Sequence, residues 1–276
     1  MYEHYWGLKE KPFENTPDPH FLYYSSKHEE ALSRMLYAIR ERKGAAMLSG
    51  EYGSGKTLLS RALLEELSSD DRYQTVLIFN PRIPPIEFLQ EIVYQLGGDD
   101  ANESKTKLLR TLNEILYNNR QQNKSTVIAI DEAQAIESEE IFEELRLLLN
   151  FQLDDMFLLT LILLGQPELK EKVEAIPQLR QRVSVRYHLM ALDERETKEY
   201  IEHRLEVAGC QEHIFDTETY PLIFNASEGI PRRINNICDM SLLAGFGSKT
   251  EKVDKYIIQD VISDLEEKPQ EKKVKG

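Results

Sequence analysis

Cysteine is scarce. Cys210 and Cys238 are the only two in 276 residues, and their spacing fits neither a disulfide framework nor a thiolate metal cluster. They read as buried, reduced thiols of an intracellular protein. Long apolar runs are missing too. The longest, MFLLTLILLG at residues 156–165, is about half of what a helix needs to cross a bilayer. The opening MYEHYWGLKEKPF has no apolar signal core, which argues against secretion. Positive charge is in deficit: 34 Lys and Arg stand against 48 Asp and Glu, a formal charge of −14. That balance argues against extensive binding to duplex DNA but leaves room for local basic patches. No internal repeat is present. The stretch EEKPQEKKVKG at residues 266–276 lacks apolar anchors and reads as a disordered, solubilising tail. The remainder, 41% hydrophobic and 30% charged overall, suits a soluble globular protein with a real core, in one large or two modest domains.

Against this background one stretch carries chemistry. Residues 45–49 form a short, mostly apolar run. GEYGSGKT follows at residues 50–57, a full G-x-x-x-x-G-K-[ST] match. Leu58, Leu59, Ala62, Leu63 and Leu67 then recur at helical spacing. Strand, glycine loop and helix thus come in the order that phosphate binding requires. Glycines let backbone wrap an anion closely, and loop N–H groups and a helix N-terminus face it. Gly50, Gly53, Ser54, Gly55, Lys56, Thr57 and Leu58 are the candidate nucleotide-binding residues. Lys56 is placed to reach the β- and γ-phosphates of ATP, and Thr57 to ligate Mg²⁺.

A second strand candidate, STVIAIDEAQ at residues 125–134, has an apolar run that suits burial on both faces and ends in Asp131 and Glu132. In open parallel sheets ligands bind beyond the carboxyl ends of the strands. Asp131 would hold Mg²⁺, and Glu132 would orient or deprotonate the attacking water. Taken alone, an apolar run ending in Asp-Glu could equally mark a helix N-cap; the phosphate loop upstream favours the chemical reading. A third apolar run, residues 157–165, leads to Gln166. This side chain either touches the γ-phosphate or the water, or belongs to a plain strand-to-helix turn at Pro167.

Three arginines, Arg180, Arg182 and Arg186, crowd into QLRQRVSVRYHL at residues 178–189, where RVSVRYHL reads as the fifth strand once QTVLIF at residues 74–79 is counted as another. They are solvated surface, a nucleic-acid contact, or a reach toward a phosphate held elsewhere. Strands and helices alternate as far as residue 190, which predicts a three-layer α/β unit with a parallel sheet. Ser26 and Glu29 stand at capping-box spacing before a helix, as do Asp193 and Glu196. From residue 191 the pattern is helical only. There GIPRRINN puts Pro231 at a helix start with Arg232 and Arg233 in the first turn. Cations oppose the helix dipole at that end, so the pair is either surface or reaches back toward a γ-phosphate. The expected organisation is a nucleotide-binding domain over 1–190, a helical lid over 191–265 and the tail.

The set GEYGSGKT, VIAIDEAQ, LLGQPEL, LRQRVSVRYHL and GIPRRINN resembles the AAA+ ATPases with their P-loop NTPase fold. The N-terminal YWGLKEKPFENTPDPHFLYYSSKHEEAL narrows the resemblance to the ExeA-like, general secretion pathway protein A family. That family includes ATPases of MSHA-pilus biogenesis and of exosortase-associated secretion. The resemblance implies Asp131 and Glu132 as the Walker B pair, Gln166 as sensor 1 and Arg232 as sensor 2. It implies Arg182 as an arginine finger offered in trans, with Arg180 the second candidate, and residues 21–32 near the adenine. It further implies ATP and Mg²⁺ as ligands and a homo-oligomer, a ring or spiral such as a hexamer. The implied setting is cytoplasmic, peripheral to the inner membrane, with secretion or pilus components as partners. Larger secretion members carry a membrane helix and a periplasmic domain that are not expected here. AAA+ proteins of transposition similar to TniB share this core and give the second reading, one in which nucleic acid is a partner. A slow nucleotide switch is a third, disfavoured because a switch has no need of Glu132.

Overall fold

The computed structural model describes residues 1–98, 104–153 and 156–266. The chain divides into two compact units. One comprises Ser26–Tyr52 with Lys56–Met190; the other comprises Met1–Ser25, Gly53–Gly55 and the chain from Ala191 onward.

The first is an α/β unit. Five strands, β1 (Ala45–Gly50), β2 (Tyr73–Ile78), β3 (Ser125–Ile130), β4 (Leu159–Gly165) and β5 (Val183–Leu189), form one sheet in the order β2-β3-β4-β1-β5. Every pairing is parallel. The three inner strands are buried on both faces, which is why β1, β3 and β4 read as nearly unbroken apolar runs. Alternation still sorts their side chains. Met47, Ile128, Ile130, Leu161 and Leu163 face a core shared with α3 (Pro85–Gln95), α4 (Lys105–Gln121) and α5 (Glu139–Leu148). Ala46, Leu48, Val127, Ala129, Ile162 and Leu164 face a second core with α1 (Ser26–Arg40) and α2 (Lys56–Ser68). The result is the three-layer parallel arrangement that the alternating pattern predicts.

Boundaries differ in three places. β4 starts at Leu159 rather than 157, because Met156–Phe157 pairs antiparallel with Gln152–Leu153 and the Phe157 ring packs on Gly44. Ser26 lies within α1, so Ser26 and Glu29 do not stand as cap and third residue. The expected strand over 182–189 starts one residue later. Residues Pro177–Arg182 form a short helix, α7, following α6 (Glu168–Glu174). Pro177 is well suited to a first helical turn, Leu179 is its buried anchor, and Arg180 and Arg182 occupy the last turn, where cations suit the helix dipole.

The second unit is helical: α8 (Glu194–Val207), α9 (Thr219–Ser227), α10 (Pro231–Ser248) and α11 (Lys255–Glu266). Asp193 and Glu196 form the reciprocal capping box that their spacing predicts. Its core also contains Tyr2, Trp6, Leu8, Phe13 and Phe21. Trp6 Nε1 donates to the Leu242 carbonyl at 2.9 Å, and the Tyr2 hydroxyl donates to Asp239. Arg204 donates to the carbonyls of Pro12 and Glu14 and to the Tyr200 hydroxyl, and stacks on Phe21 at 4.7 Å. The first 25 residues therefore pack with the C-terminal helices, whereas the expected division joined them to residues 26–190. Their aromatics follow no strand or helix period, so nothing in the local pattern assigns them a partner. Of the expected tail, Glu266 closes α11 and residues 267–276 lie outside the described residues. Among the described residues no helix is long and apolar enough to cross a membrane.

Candidate nucleotide-binding and hydrolysis site

Register decides which side chains meet. Ile130 of β3 pairs with Leu163 of β4, and Gly165 of β4 pairs with Ser49 of β1. The residues that follow are Asp131, Gln166 and the glycine loop, so all three emerge along the carboxyl edge of the sheet. Arg182 does not. It precedes Val183, which pairs with Ala45 at the start of β1, and so stands at the opposite edge. There its Nη2 donates to Asn150 Oδ1 at 2.7 Å, while Nη1 is buried with no hydrogen-bond partner among the described residues. Arg180 is exposed. Arg186 donates to the carbonyls of Arg180 and Val183, at 2.7 and 3.4 Å, and lies 3.8 Å from Glu174.

In the loop, Gly53 and Gly55 have φ of +82° and +98°, backbone that β-carbon-bearing residues rarely adopt. Lys56 opens α2 and is only 5% exposed. Its Nζ donates to the Gly50 and Glu51 carbonyls at 2.8 Å each, so the ammonium draws the loop around itself. Burial holds this ammonium below the ordinary lysine range, with the Glu132 and Asp131 carboxylates pulling the other way. Thr57 and Leu58 follow in the first turn of α2. Asp131, 2% exposed, hydrogen-bonds with the Thr57 side chain and accepts from the Glu132 N–H at 2.9 Å. Burial nevertheless raises its carboxyl above the usual aspartate range, against those bonds.

Glu132 itself has φ 50° and ψ 35°, the left-handed region that non-glycine residues occupy at a cost of about 1–3 kcal/mol. Two amide donors reach its Oε2: Gln134 Nε2, and Gln166 Nε2 at 3.5 Å. Gln134 was not a sequence candidate. Its signals are its place two residues after Glu132 and a glycine, Gly165, just before Gln166. In the helical unit's own residues, the Arg232 N–H donates to the Gly53 carbonyl at 3.3 Å, and a β-carbon on Gly53 would approach the Arg232 β-carbon to 2.6 Å. Arg233 instead pairs on the surface with Glu228 at 2.6 Å.

The donor set fits a magnesium-bound nucleoside triphosphate. A buried ammonium and glycine-lined backbone suit phosphate, and a hydroxyl beside a buried carboxylate suits a hard cation that takes oxygen ligands. The chain is similar to known proteins. An AAA-domain family model matches residues 39–173. General secretion pathway protein A of Aeromonas hydrophila is 38% identical over 256 residues, which is 92% of this chain and 46% of that protein. The chain belongs to the AAA+ family, in the group of general secretion pathway protein A. It spans less than half of that relative's length. Solved AAA+ neighbours support the fold. The ORC2 protein of Aeropyrum pernix, in its ADPNP-ADP complexes, aligns with a TM-score of 0.70 at 19% identity, over 93% of this chain and 72% of that one. Cdc6p of Pyrobaculum aerophilum aligns with a TM-score of 0.70 at 16% identity, over 88% and 68%. At those identities the likeness speaks for architecture alone. In this AAA+ chain, then, the loop, the strand ends and the helical C-terminal part belong to one known fold plan.

Proposed function

We propose that this chain binds ATP with Mg²⁺ at the carboxyl edge of its sheet, hydrolyses it, and uses the cycle as a homo-oligomer to power or regulate assembly of a secretion apparatus. One observation carries the chemical part: Lys56, Thr57, Asp131 and Glu132 gather at one edge, with Lys56 and Asp131 both buried against their charged forms. Such perturbed pairs mark functional sites more often than structural ones. The kinship to general secretion pathway protein A supports the setting.

Each residue has a separable task. Lys56 gives its ammonium to phosphate oxygens in exchange for the Gly50 and Glu51 carbonyls. Thr57 and Asp131 are the oxygen ligands for Mg²⁺. When bound, that ion neutralises charge developing on the phosphates. Glu132 accepts the proton of the attacking water. Gln166 stands beside it as a polar contact to the water or the γ-phosphate, and Arg232 is the sensor 2 candidate that the family resemblance implies. Arg182, at the far edge, is offered to the ATP of a neighbouring subunit.

The test pairs nucleotide binding with turnover in three proteins. Wild type should hydrolyse ATP. Lys56→Ala should lose affinity and turnover together. Glu132→Gln should bind ATP as wild type does and leave it uncleaved. Turnover by Glu132→Gln at the wild-type rate overturns the assignment. For the arginine, Arg182→Ala mixed with Glu132→Gln should recover activity that neither has alone; no recovery in a confirmed mixed oligomer rules Arg182 out as a finger.

A further inference from the structure

We infer that Gln134 is the positioning residue for Glu132: it fixes the orientation of that carboxylate by bridging it to the backbone at the end of β4. The inference rests on the reading of Glu132 as the acceptor of the water's proton, and it assigns the means by which that acceptor is aimed.

Gln134 is held at both ends. Its amide nitrogen donates to Glu132 Oε2, and its amide oxygen accepts from the Gln166 N–H at 3.0 Å. Chemistry fixes this orientation of the amide. A carboxylate only accepts and a backbone N–H only donates, so the reversed amide would lose both bonds. Space for the oxygen comes from Gly165: a β-carbon there would stand 2.6 Å from Gln134 Oε1 and 2.9 Å from Leu169 Cδ2. The main chain of Gln134 is fastened as well. Lys172 Nζ, on α6, donates to the Gln134 and Ile136 carbonyls at 2.6 Å each. It closes the 3₁₀ turn Ala133–Ala135 that directly follows the left-handed Glu132.

These contacts have a functional consequence. Glutamate has three side-chain torsions, and the terminal one turns broadly. Left loose, Glu132 would present its oxygens over a wide arc. With Gln134 and Gln166 both donating to Oε2, one oxygen is committed. Among the described residues no hydrogen bond to Oε1 is seen, which leaves that oxygen to accept from the water. Aim of this kind matters because misplacement by about 1 Å can cost roughly 100-fold in rate. Gln134 acts through Glu132 and touches neither phosphate nor water.

The experiment uses the whole chain and two readouts. The first needs no turnover: hydrogen exchange of the Gln166 backbone amide in nucleotide-free protein. It should be protected in wild type and exchange roughly five- to tenfold faster in Gln134→Met, which keeps the volume and removes the oxygen that this amide donates to. Gly165→Ala should do the same by displacing the amide oxygen. The second readout is kinetic. Gln134→Met should lower kcat about 10- to 100-fold with KM within about threefold. Gln134→Glu, nearly isosteric and still an acceptor for Gln166, places a second carboxylate against Glu132. Repulsion should turn Glu132 away while the bond to Gln166 stays, so kcat should fall about 10- to 100-fold with Gln166 exchange near wild type, a split that a merely structural role would not give. Unchanged Gln166 exchange in both Gln134→Met and Gly165→Ala overturns the inference. So does wild-type kcat in Gln134→Met while Glu132→Gln is inactive, a result that leaves the hydrolytic reading standing. If wild type proves unable to hydrolyse ATP, that reading falls, and Gln166 exchange alone decides the bridge.

Discussion

Lys56 and Arg204 are both buried cations, at 5% and 4% exposure, and they are held to opposite ends. Arg204 is completed by its surroundings. Three oxygens accept from it and Phe21 lies beneath its planar face, which satisfies both its donors and its apolar surface. Lys56 is held by two carbonyls of its own loop, beside carboxylates that are themselves crowded. Burial works against its charge and against that of Asp131. A cation finished by neutral partners builds a unit; a cation kept in tension is ready for a ligand.

That contrast can be broken most sharply at Lys56. Lys56→Met should cost roughly 100-fold or more in ATP affinity, about 3 kcal/mol, measured by calorimetric titration. The same variant should melt no lower than wild type, because functional sites trade stability for chemistry. A melting point well below wild type would make Lys56 a structural cation like Arg204. Arg204→Met should do the reverse, losing about 2–4 kcal/mol in chemical denaturation as Pro12, Glu14 and Tyr200 lose their partner. Gly229→Ala tests the same unit by another route. With φ at +69° and an added β-carbon 1.9 Å from the Leu192 carbonyl oxygen, it should cost about 2–4 kcal/mol. The smallest effect expected is at Asp131. The folded chain holds this proton to higher pH than the unfolded chain does. The stability it contributes is therefore fully present in acid and is lost as pH rises through the raised folded value. Asp131→Asn should flatten that stretch of the stability curve and melt higher than wild type near neutral pH. A fall in melting temperature there would mean that the Thr57 and Glu132 bonds outweigh burial.

The α/β unit was largely legible in the sequence. Its strands are short Val, Ile, Leu and Ala runs that end in chemically marked residues: Gly50, Asp131 and Gly165. Doubly buried strands cannot be written otherwise. The phosphate loop announced itself because glycine spacing, lysine and threonine obey one geometry. What stayed hidden depends on neighbours distant along the chain. Gln134 belongs with Gln166, which is 32 positions away, and only the sheet register brings them together. Trp6 belongs with Leu242, and Arg204 with Pro12; no local period carries such information. The helix over Pro177–Arg182 was missed because six residues hold less than two turns of apolar pattern, and the following strand absorbed its last residue.

The placement of Met1–Ser25 within the helical unit has a consequence for how the molecule is made. Synthesis delivers Tyr2, Trp6, Leu8, Phe13 and Phe21 well before the helices that cover them. Between the two lies the whole α/β unit, which takes on the order of ten to thirty seconds to emerge from a ribosome. During that interval these aromatics lack the helices that bury them, while the sheet that follows can already close. A message cut short after residue 190 would leave these aromatics without the helices that bury them, so their burial reports that residues 191–266 have been made.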